Sequence, residues 1–240
     1  MGARRGLAVF LSGCSWQGVY HAGAAEALRG QGLEWHWLGG ASSGSLVAAA
    51  LTSGLPPVDV REAFVRAAME GRRGALGPVG RLSTILEAVL QDVLPADAHQ
   101  RCSGRLEVSL CSVEGALGLG LRNHRLDAWA SKDDLVECLL MSCHIPLVSD
   151  RAPYFRGMRC IDGGFLGHNG PGEGSQADLV IYHSPDNHPK GMEGLVIHPR
   201  RGFTWWHALF PPDRELMEAT FRRGTLDAEA WLRAHGDALP

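Results

Sequence analysis

The chain has 240 residues, of which 45% are hydrophobic and 20% charged, and its formal net charge is -3 at pH 7. This composition is typical of a globular domain, and it gives no argument for a nucleic-acid partner, whose binding surface needs clustered positive charge. No segment approaches the roughly twenty consecutive apolar residues that cross a bilayer, so we expect any membrane contact to be peripheral.

The first predicted element is a β-rich run at residues 7–11, followed by the loop SGCSWQG at residues 12–18 and an alanine-rich helical stretch at residues 19–28. A strand that runs through such a loop into a helix exposes consecutive backbone N–H groups. Exposed N–H groups of this kind are what an oxyanion hole requires. The alternative is an ordinary strand-to-helix turn.

The second strand-like run, at residues 33–38, leads into the sequence GASSG at residues 40–44 and then into an alanine-rich helical segment. Strand, sharp turn and helix in this order are typical of a nucleophile elbow, with Ser42 presented at the helix N-terminus. Gly40 and Gly44 would leave room for the tight turn. The alternative is a glycine-rich turn in which Ser42 only caps the helix.

Further along the chain, helical and strand-like patterns alternate without internal repeats. Helical periodicity covers residues 58–69, 82–94 and 133–142, and strand-like runs cover residues 106–113, 158–161, 179–183 and 195–198. A Pro-Pro pair precedes a final amphipathic helix at residues 214–234. The alternation predicts a single domain over residues 1–240, in which helices cover both faces of a sheet. Its core would span about residues 7–200 and its C-terminal helix about residues 211–235.

The strand-like run at residues 158–161 ends in Asp162, which is followed by Gly163 and Gly164. An aspartate at a strand end, before two glycines that bend the chain, can be held rigidly against a nucleophile. The alternative is a hairpin or loop turn, because Asp-Gly is a strong turn signal.

Together these segments resemble the patatin-like phospholipase family, and within it the adipose triglyceride lipase and adiponutrin branch. The similarity is carried by SGCSWQGVYHAG from residue 12, GASSGSL from residue 40, LPADAHQRCSGRLEVSL from residue 94, residues 131–146, and ALFPP from residue 208. It covers most of residues 7–235 in the right order. The resemblance implies a three-layer α/β/α sandwich of the patatin-like, cytosolic phospholipase A2-like type, with a central mixed sheet.

The resemblance also implies a Ser-Asp dyad that hydrolyses acylglycerols or phospholipids without a metal or an organic cofactor. Ser42 would be the nucleophile, and Asp162 would take its proton and return it to the leaving alcohol. The N–H groups around Gly13, Cys14 and Ser15 would form the oxyanion hole. The accompanying motif glycines would be Gly18, Gly40, Gly44, Gly163 and Gly164. An unperturbed carboxylate has a pKa of about 4 and is a weak base, so we expect burial to raise the pKa of Asp162.

Two departures from the family pattern leave other functions open. Ser15 stands where this branch usually has glycine, and residues 165–171 are one residue longer than the usual segment after Asp162. A weakly active or inactive lipid-surface binding protein is therefore an alternative. So is a transacylase, because an alcohol can replace water in the second half-reaction. Relatives in this branch often carry a long C-terminal extension associated with lipid-droplet attachment. We therefore do not infer droplet attachment for this chain from the resemblance.

A histidine-based triad is the rival within enzyme chemistry. His183, His198 and His207 follow Asp162 in the order that α/β-hydrolases use. Against this reading, only one strand-loop-helix unit precedes Ser42, whereas α/β-hydrolases usually place several strands before the nucleophile.

The chain also offers signals of location. Six scattered cysteines without paired spacing fit a reducing, cytoplasmic compartment. Residues 4–14 imitate a lipoprotein signal, but cleavage before Cys14 would remove the first strand, so we expect no processing there. A possible patch for a membrane or lipid-droplet surface comprises Phe203, Trp205, Trp206, Leu209 and Phe210. The alternative is that these residues belong to the core.

Overall fold

A computed structural model of the chain describes residues 6–114, 120–164, 170–171, 175–185, 195–203, 210–236 and 239. The strands of these ranges are β1 (Leu7–Leu11), β2 (Trp35–Ala41), β3 (Leu106–Glu114), β4 (Gly120–Leu126), β5 (Tyr154–Phe155), β6 (Met158–Ile161), β7 (Leu179–Ile181) and β8 (Val196–Ile197). The helices are α1 (Gly18–Gly30), α2 (Ser43–Thr52), α3 (Pro57–Arg72), α4 (Leu82–Val93), α5 (Ala98–Cys102), α6 (Lys132–Ser142) and α7 (Arg214–His235).

The strands form one mixed sheet in the order β5-β6-β3-β2-β1-β7-β8, with β4 also paired to β3. Strands β1, β2, β3, β7 and β8 run parallel to their partners along the sheet, whereas β4 and β6 are antiparallel to β3. The predicted mixed α/β architecture around a central mixed sheet is confirmed.

Alternation along β1 separates two apolar clusters. Leu7, Val9 and Leu11 join the larger cluster, which includes residues from all seven described helices. Ala8 and Phe10 point to the opposite face and pack in a smaller cluster of strand residues. Strand β1 pairs with β2 along one edge and with β7 along the other, so it lies in the interior of the sheet, with both of its faces buried.

The C-terminal helix α7 begins where the sequence predicts. The Asp213 carboxylate accepts a hydrogen bond from the Leu216 N–H at 2.9 Å, which caps the helix. Helix α7 packs along α1, where the Tyr20 hydroxyl donates to Asp227 at 3.1 Å and the Thr225 hydroxyl donates to the Gly23 carbonyl at 3.0 Å. Among the described helices, none is long and apolar enough to cross a membrane.

Several elements differ from the sequence expectation. The sequence pattern does not predict helix α5 or strands β4 and β5, and β2 extends through Gly39 and Gly40 instead of ending at Leu38. Strand β4 carries the polar run Arg122 to Arg125, and it forms because each of these residues pairs with β3 along an edge. Pairing with a neighbouring strand thus outweighed local sequence preference at this position.

Candidate active site

Two strands that lie end to end along one edge of β3 bring Ser42 and Asp162 together. Strand β2 runs parallel to β3 up to Ala41, which pairs with Ser109. Strand β6 arrives from the opposite direction, and its last residue, Ile161, pairs with Cys111. The residues that follow these two strand ends therefore face each other. The Ser42 hydroxyl donates to Asp162 Oδ2 at 2.6 Å.

The turn at Ser42 has the geometry of an elbow. Ser42 adopts φ 51° and ψ -131°, a strained conformation for a residue with a side chain. A Cβ atom on Gly40 would come within 2.6 Å of the Gly44 backbone, and a Cβ on Gly44 would come within 2.2 Å of the Leu11 carbonyl. Ser42 occupies the position before α2, but its side chain makes no capping hydrogen bond. The Ser42 hydroxyl instead donates its hydrogen bond to Asp162, which disfavours the alternative that Ser42 only caps the helix.

Asp162 is fixed through its backbone and its side chain. Its N–H donates to the His144 carbonyl at 2.9 Å, and its Oδ1 accepts from the Gly164 N–H at 2.8 Å. Gly163 is required beside it, since a Cβ there would lie 2.0 Å from the Ser109 carbonyl oxygen. Burial raises the pKa of the Asp162 carboxyl to about 6, against the lowering effect of the hydrogen bonds from Ser42 and Gly164. The carboxylate is therefore a stronger base than an exposed aspartate.

A buried serine that the sequence analysis did not single out holds the elbow. The Ser142 hydroxyl, at the end of α6, accepts from the Ser42 N–H at 2.9 Å and donates to the Ser109 carbonyl at 2.6 Å. The Ser45 hydroxyl donates to the Ser42 carbonyl at 2.6 Å. The N–H and the carbonyl of Ser42 thus both have hydrogen-bond partners. A polar residue within the apolar run LLMSCH was the available sequence signal.

The loop predicted as an oxyanion hole lies at the same end of the sheet, directly after β1. Ser15 opens a 3-10 turn over Ser15–Gln17 and has φ 53°, in the left-handed region that favours glycine. The Cys14 N–H points into the site, where it donates to the Ser43 hydroxyl at 3.0 Å. One of the predicted oxyanion donors is therefore engaged by a neighbouring side chain.

Behind this loop lies a buried cluster of polar groups. His21 Nε2 lies 2.8 Å from the Ser12 carbonyl oxygen and 3.3 Å from the Cys14 sulfur. Burial lowers the pKa of the His21 imidazole to about 4 and raises the pKa of the Cys14 thiol to about 12, so both groups are neutral at physiological pH. The pair therefore carries no thiolate nucleophile and supports the loop.

The histidines of the alternative triad take other positions. His183 Nδ1 lies 3.2 Å from the Ser12 hydroxyl, and His198 Nδ1 lies 3.1 Å from the Pro199 carbonyl oxygen. His207 is outside the described residues. Because the single hydroxyl proton of Ser42 is directed to Asp162, the geometry favours a dyad over a triad.

An apolar cleft opens beside Ser42. Its walls are apolar side chains of α3, α4 and the segment after α6, among them Val60, Phe64, Leu82, Leu86, Val89, Ile145 and Val148. The polar lining is confined to Ser15, Ser42 and Ser43, with the thiol of Cys143 nearby. An apolar chain can therefore lie in the cleft with its polar end at the Ser42 hydroxyl.

The aromatic patch proposed for lipid contact is described only in part. The Phe203 ring packs against Tyr20 with centroids 5.5 Å apart, and the Arg223 guanidinium lies 5.7 Å from the Phe203 centroid. Phe203 thus belongs to the packing around α1 and α7. Phe210 is half-buried, and Trp205, Trp206 and Leu209 lie outside the described residues. The lengthened segment after Asp162 is likewise outside them, except for Gly170 and Pro171.

Comparisons with known proteins bear on the family and the fold. A family model described as "Patatin-like phospholipase" matches residues 9–172. The solved structure of VipD from Legionella pneumophila superposes with a TM-score of 0.64 at 13% identity, and the match covers 97% of this chain and 68% of that one. A likeness at this identity bears on the fold alone, and it agrees with the fold class implied by the sequence resemblance.

Three human proteins show the sequence similarity. "1-acylglycerol-3-phosphate O-acyltransferase PNPLA3" is 30% identical, with 98% of this chain and 52% of the relative covered. "Omega-hydroxyceramide transacylase" is 29% identical, with coverage of 94% and 45%. "Patatin-like phospholipase domain-containing protein 2" is 28% identical, with coverage of 95% and 48%. The chain thus spans about half the length of these relatives.

Proposed function

The chain belongs to the patatin-like phospholipase family, and from this membership we propose that it is a lipid acyl hydrolase that cleaves carboxylic esters of acylglycerols or phospholipids. The observation that carries the proposal is the 2.6 Å hydrogen bond from the Ser42 hydroxyl to Asp162 at the wall of an apolar cleft. A hydroxyl, a buried carboxylate and a lipophilic groove together suit ester cleavage at the head of an acyl chain.

In the first half-reaction, Ser42 Oγ attacks the ester carbonyl carbon while Asp162 accepts the hydroxyl proton. The carbonyl oxygen becomes an oxyanion beside the loop of residues 12–15, whose N–H groups stabilise it. One well-placed donor of this kind contributes about a hundredfold in rate or more. As the tetrahedral intermediate collapses, the C–O bond to the alcohol breaks and Asp162 returns the proton to the departing oxygen. The product is an acyl-enzyme on Ser42.

In the second half-reaction, water loses a proton to Asp162 and attacks the acyl-enzyme carbonyl. The Ser42 oxygen leaves and recovers the proton, which frees the fatty acid. The basicity of Asp162 suits both steps, because a base works best with a pKa near the operating pH. The similarity to the triglyceride lipase branch favours neutral glycerides as substrates.

Transacylation is the second candidate, since an alcohol can take the place of water in the same scheme. It is supported by the names of two relatives, an acyltransferase and a transacylase. A weakly active lipid-surface protein is a further alternative, supported by the strained Ser15 and the engaged Cys14 N–H. For location we propose the cytoplasm, with peripheral contact to a membrane or lipid droplet. The six free thiols suit such a reducing compartment.

Labelling with a fluorophosphonate probe tests the nucleophile directly. We expect the wild type to label, and Ser42→Ala and Asp162→Asn to remain unlabelled at matched folding by circular dichroism. Ser53→Ala, at a buried serine beyond the end of α2, is the matched control and should label like the wild type. Labelling of folded Ser42→Ala would reject the assignment of the nucleophile, and a folded wild type that does not label would favour the lipid-binding alternative.

A substrate panel then separates the two reactions. Triacylglycerol and phospholipid are supplied with and without an acceptor alcohol such as monoacylglycerol or a lysophospholipid. Release of free fatty acid regardless of acceptor identifies a hydrolase, whereas acyl transfer to the acceptor at the expense of free fatty acid identifies a transacylase.

A further inference from the structure

Three apolar side chains project into solvent from two loops beside the cleft, and we call them the apolar rim. Leu76 and Val79, in the loop after α3, are 70% and 39% exposed, and Leu147, in the loop after α6, is 90% exposed. Scattered exposed leucines are common on proteins, but apolar residues grouped at one opening are the usual mark of an interaction surface.

The two loops of the apolar rim are joined to each other and to the cleft. The Gly80 N–H donates to the Val148 carbonyl at 2.8 Å, which holds the loops side by side. Pro78 stands between the two rim residues of its loop and lines the cleft, and Ile145 and Val148 flank Leu147 and line it as well. The apolar rim therefore continues the apolar surface of the cleft outward to its mouth.

Leu147 is held out at an energetic cost. It has φ 70°, a left-handed conformation that costs a residue with a side chain roughly 1–2 kcal/mol. An apolar side chain that is both strained and almost fully exposed gains nothing from folding at this position. A functional contact outside the chain would account for both features.

The charges beside the apolar rim identify the kind of contact. Residues 70–81 carry three arginines and one acidic residue, Glu70. Arg73 and Arg81 both pair with Glu70, at 2.6 Å and 2.9 Å, and the Arg73 side chain is 75% exposed. The loop of Leu147 adds a second carboxylate, Asp150, which accepts from the Ser83 and Thr84 N–H groups. Three arginines thus stand against two carboxylates, so positive charge remains next to the exposed leucines. Apolar side chains flanked by arginine suit an anionic phospholipid surface.

We propose that the apolar rim docks the chain on the surface of an anionic phospholipid layer, with Leu76 and Leu147 inserted among the acyl chains. A lipid that leaves the layer would then enter the cleft without crossing water. This inference rests on the proposed function for its purpose, but docking itself does not require Ser42 to react.

Vesicle co-sedimentation tests the docking separately from catalysis. The full chain carrying Ser42→Ala is incubated with phosphatidylcholine vesicles, with and without phosphatidylserine. We expect the chain to bind more strongly to vesicles that contain phosphatidylserine. Leu76→Ser and Leu147→Ser should each lower the affinity for these vesicles by about tenfold or more. Leu226→Ser is the matched control, because Leu226 is 61% exposed on α7, far in sequence from both loops. Equal losses in all three variants would overturn the proposal.

Two further readouts complete the test. With a short, water-soluble ester, the rim variants should keep wild-type rates, while their rates on vesicle-borne substrate fall. If the wild type cleaves no ester yet the rim variants lose vesicle binding, the proposed function fails and the docking surface stands. If the wild type cleaves esters and the rim variants bind vesicles normally, the docking surface is rejected and the proposed function stands. Light scattering tests a second copy of the chain as the occupant of the apolar rim. A wild-type dimer that Leu147→Ser converts to a monomer would show that the rim binds another copy and not a lipid layer.

Discussion

The elbow around Ser42 and the loop of residues 12–15 lie at the same end of the sheet, but their polar groups are satisfied differently. Around Ser42, each backbone and side-chain contact comes from a partner that leaves the hydroxyl directed at Asp162. In the loop, the Cys14 N–H is already occupied by the Ser43 hydroxyl, and Ser15 is held in a left-handed conformation. The half that would form the nucleophile is preorganised, whereas the half that would stabilise the oxyanion must first exchange a partner.

The largest expected effect comes from removing the charge of Asp162. Asp162→Asn should lower ester cleavage by about a hundredfold to ten-thousandfold, the usual contribution of a general base. It should also stabilise the fold above pH 6. Because the folded state raises the pKa of Asp162 from 3.8 to about 6, folding binds the proton more tightly, and stability falls as the pH rises through that window. The ionised group then costs about 3 kcal/mol, at about 1.4 kcal/mol per pKa unit.

Urea unfolding at two pH values checks this stability gain. Near neutral pH the variant should have a higher midpoint than the wild type, and near pH 4 the two midpoints should converge. A variant less stable than the wild type at neutral pH would mean that the ionised carboxylate contributes net stability, which would contradict a raised pKa of Asp162.

The pH dependence of the wild type gives the next largest effect. Below pH 6, protonation of Asp162 removes the base, so kcat/KM should fall about tenfold for each further pH unit. A short soluble ester is the appropriate substrate, because it avoids changes in lipid charge. A profile that stays flat down to pH 4.5 would contradict Asp162 as the base and weaken the contrast with the oxyanion loop.

A smaller, opposite effect is expected at Ser43. Ser43→Ala releases the Cys14 N–H for the oxyanion, and a neutral hydrogen bond is worth about 0.5–1.5 kcal/mol, so kcat should rise about twofold to tenfold. Ser43→Thr retains a hydroxyl and should behave like the wild type. A fall in kcat for Ser43→Ala, with KM unchanged, would show instead that the hydroxyl holds the loop in its active shape.

The smallest effect concerns the backbone of Ser15. Ser15→Gly relieves the left-handed strain but adds freedom to the unfolded chain, so a net gain of about 0.5–1 kcal/mol in unfolding free energy is expected. Ser15→Ala retains the Cβ atom and should show no gain. Thermal unfolding of both variants measures the difference. Equal stability of Ser15→Gly and Ser15→Ala would show that the left-handed conformation of Ser15 is not strained.

The sequence predicts the features of the site that depend on residues close together in the chain, and it does not predict those that depend on distant contacts. The sequence predicts the positions of Gly40, Gly44 and Gly163 because each follows or precedes a candidate catalytic residue in a short motif. The structure gives the reason for these glycines, since backbone contacts leave no room for a Cβ atom. Ser142 acts on Ser42 across 100 residues of sequence, and only the tertiary fold brings the two together. The occupation of the Cys14 N–H depends on the same kind of distant contact.

The meeting of β2 and β6 on one edge of β3 also orders events during synthesis. A nascent chain that ends before Asp162 carries Ser42 but lacks the carboxylate that accepts the Ser42 hydroxyl proton. Under the proposed function, we expect such a product to be inactive toward lipid esters until β6 has paired with β3 and placed Asp162 beside Ser42. The fold would thus delay ester cleavage until the strand that leads to Asp162 is in place.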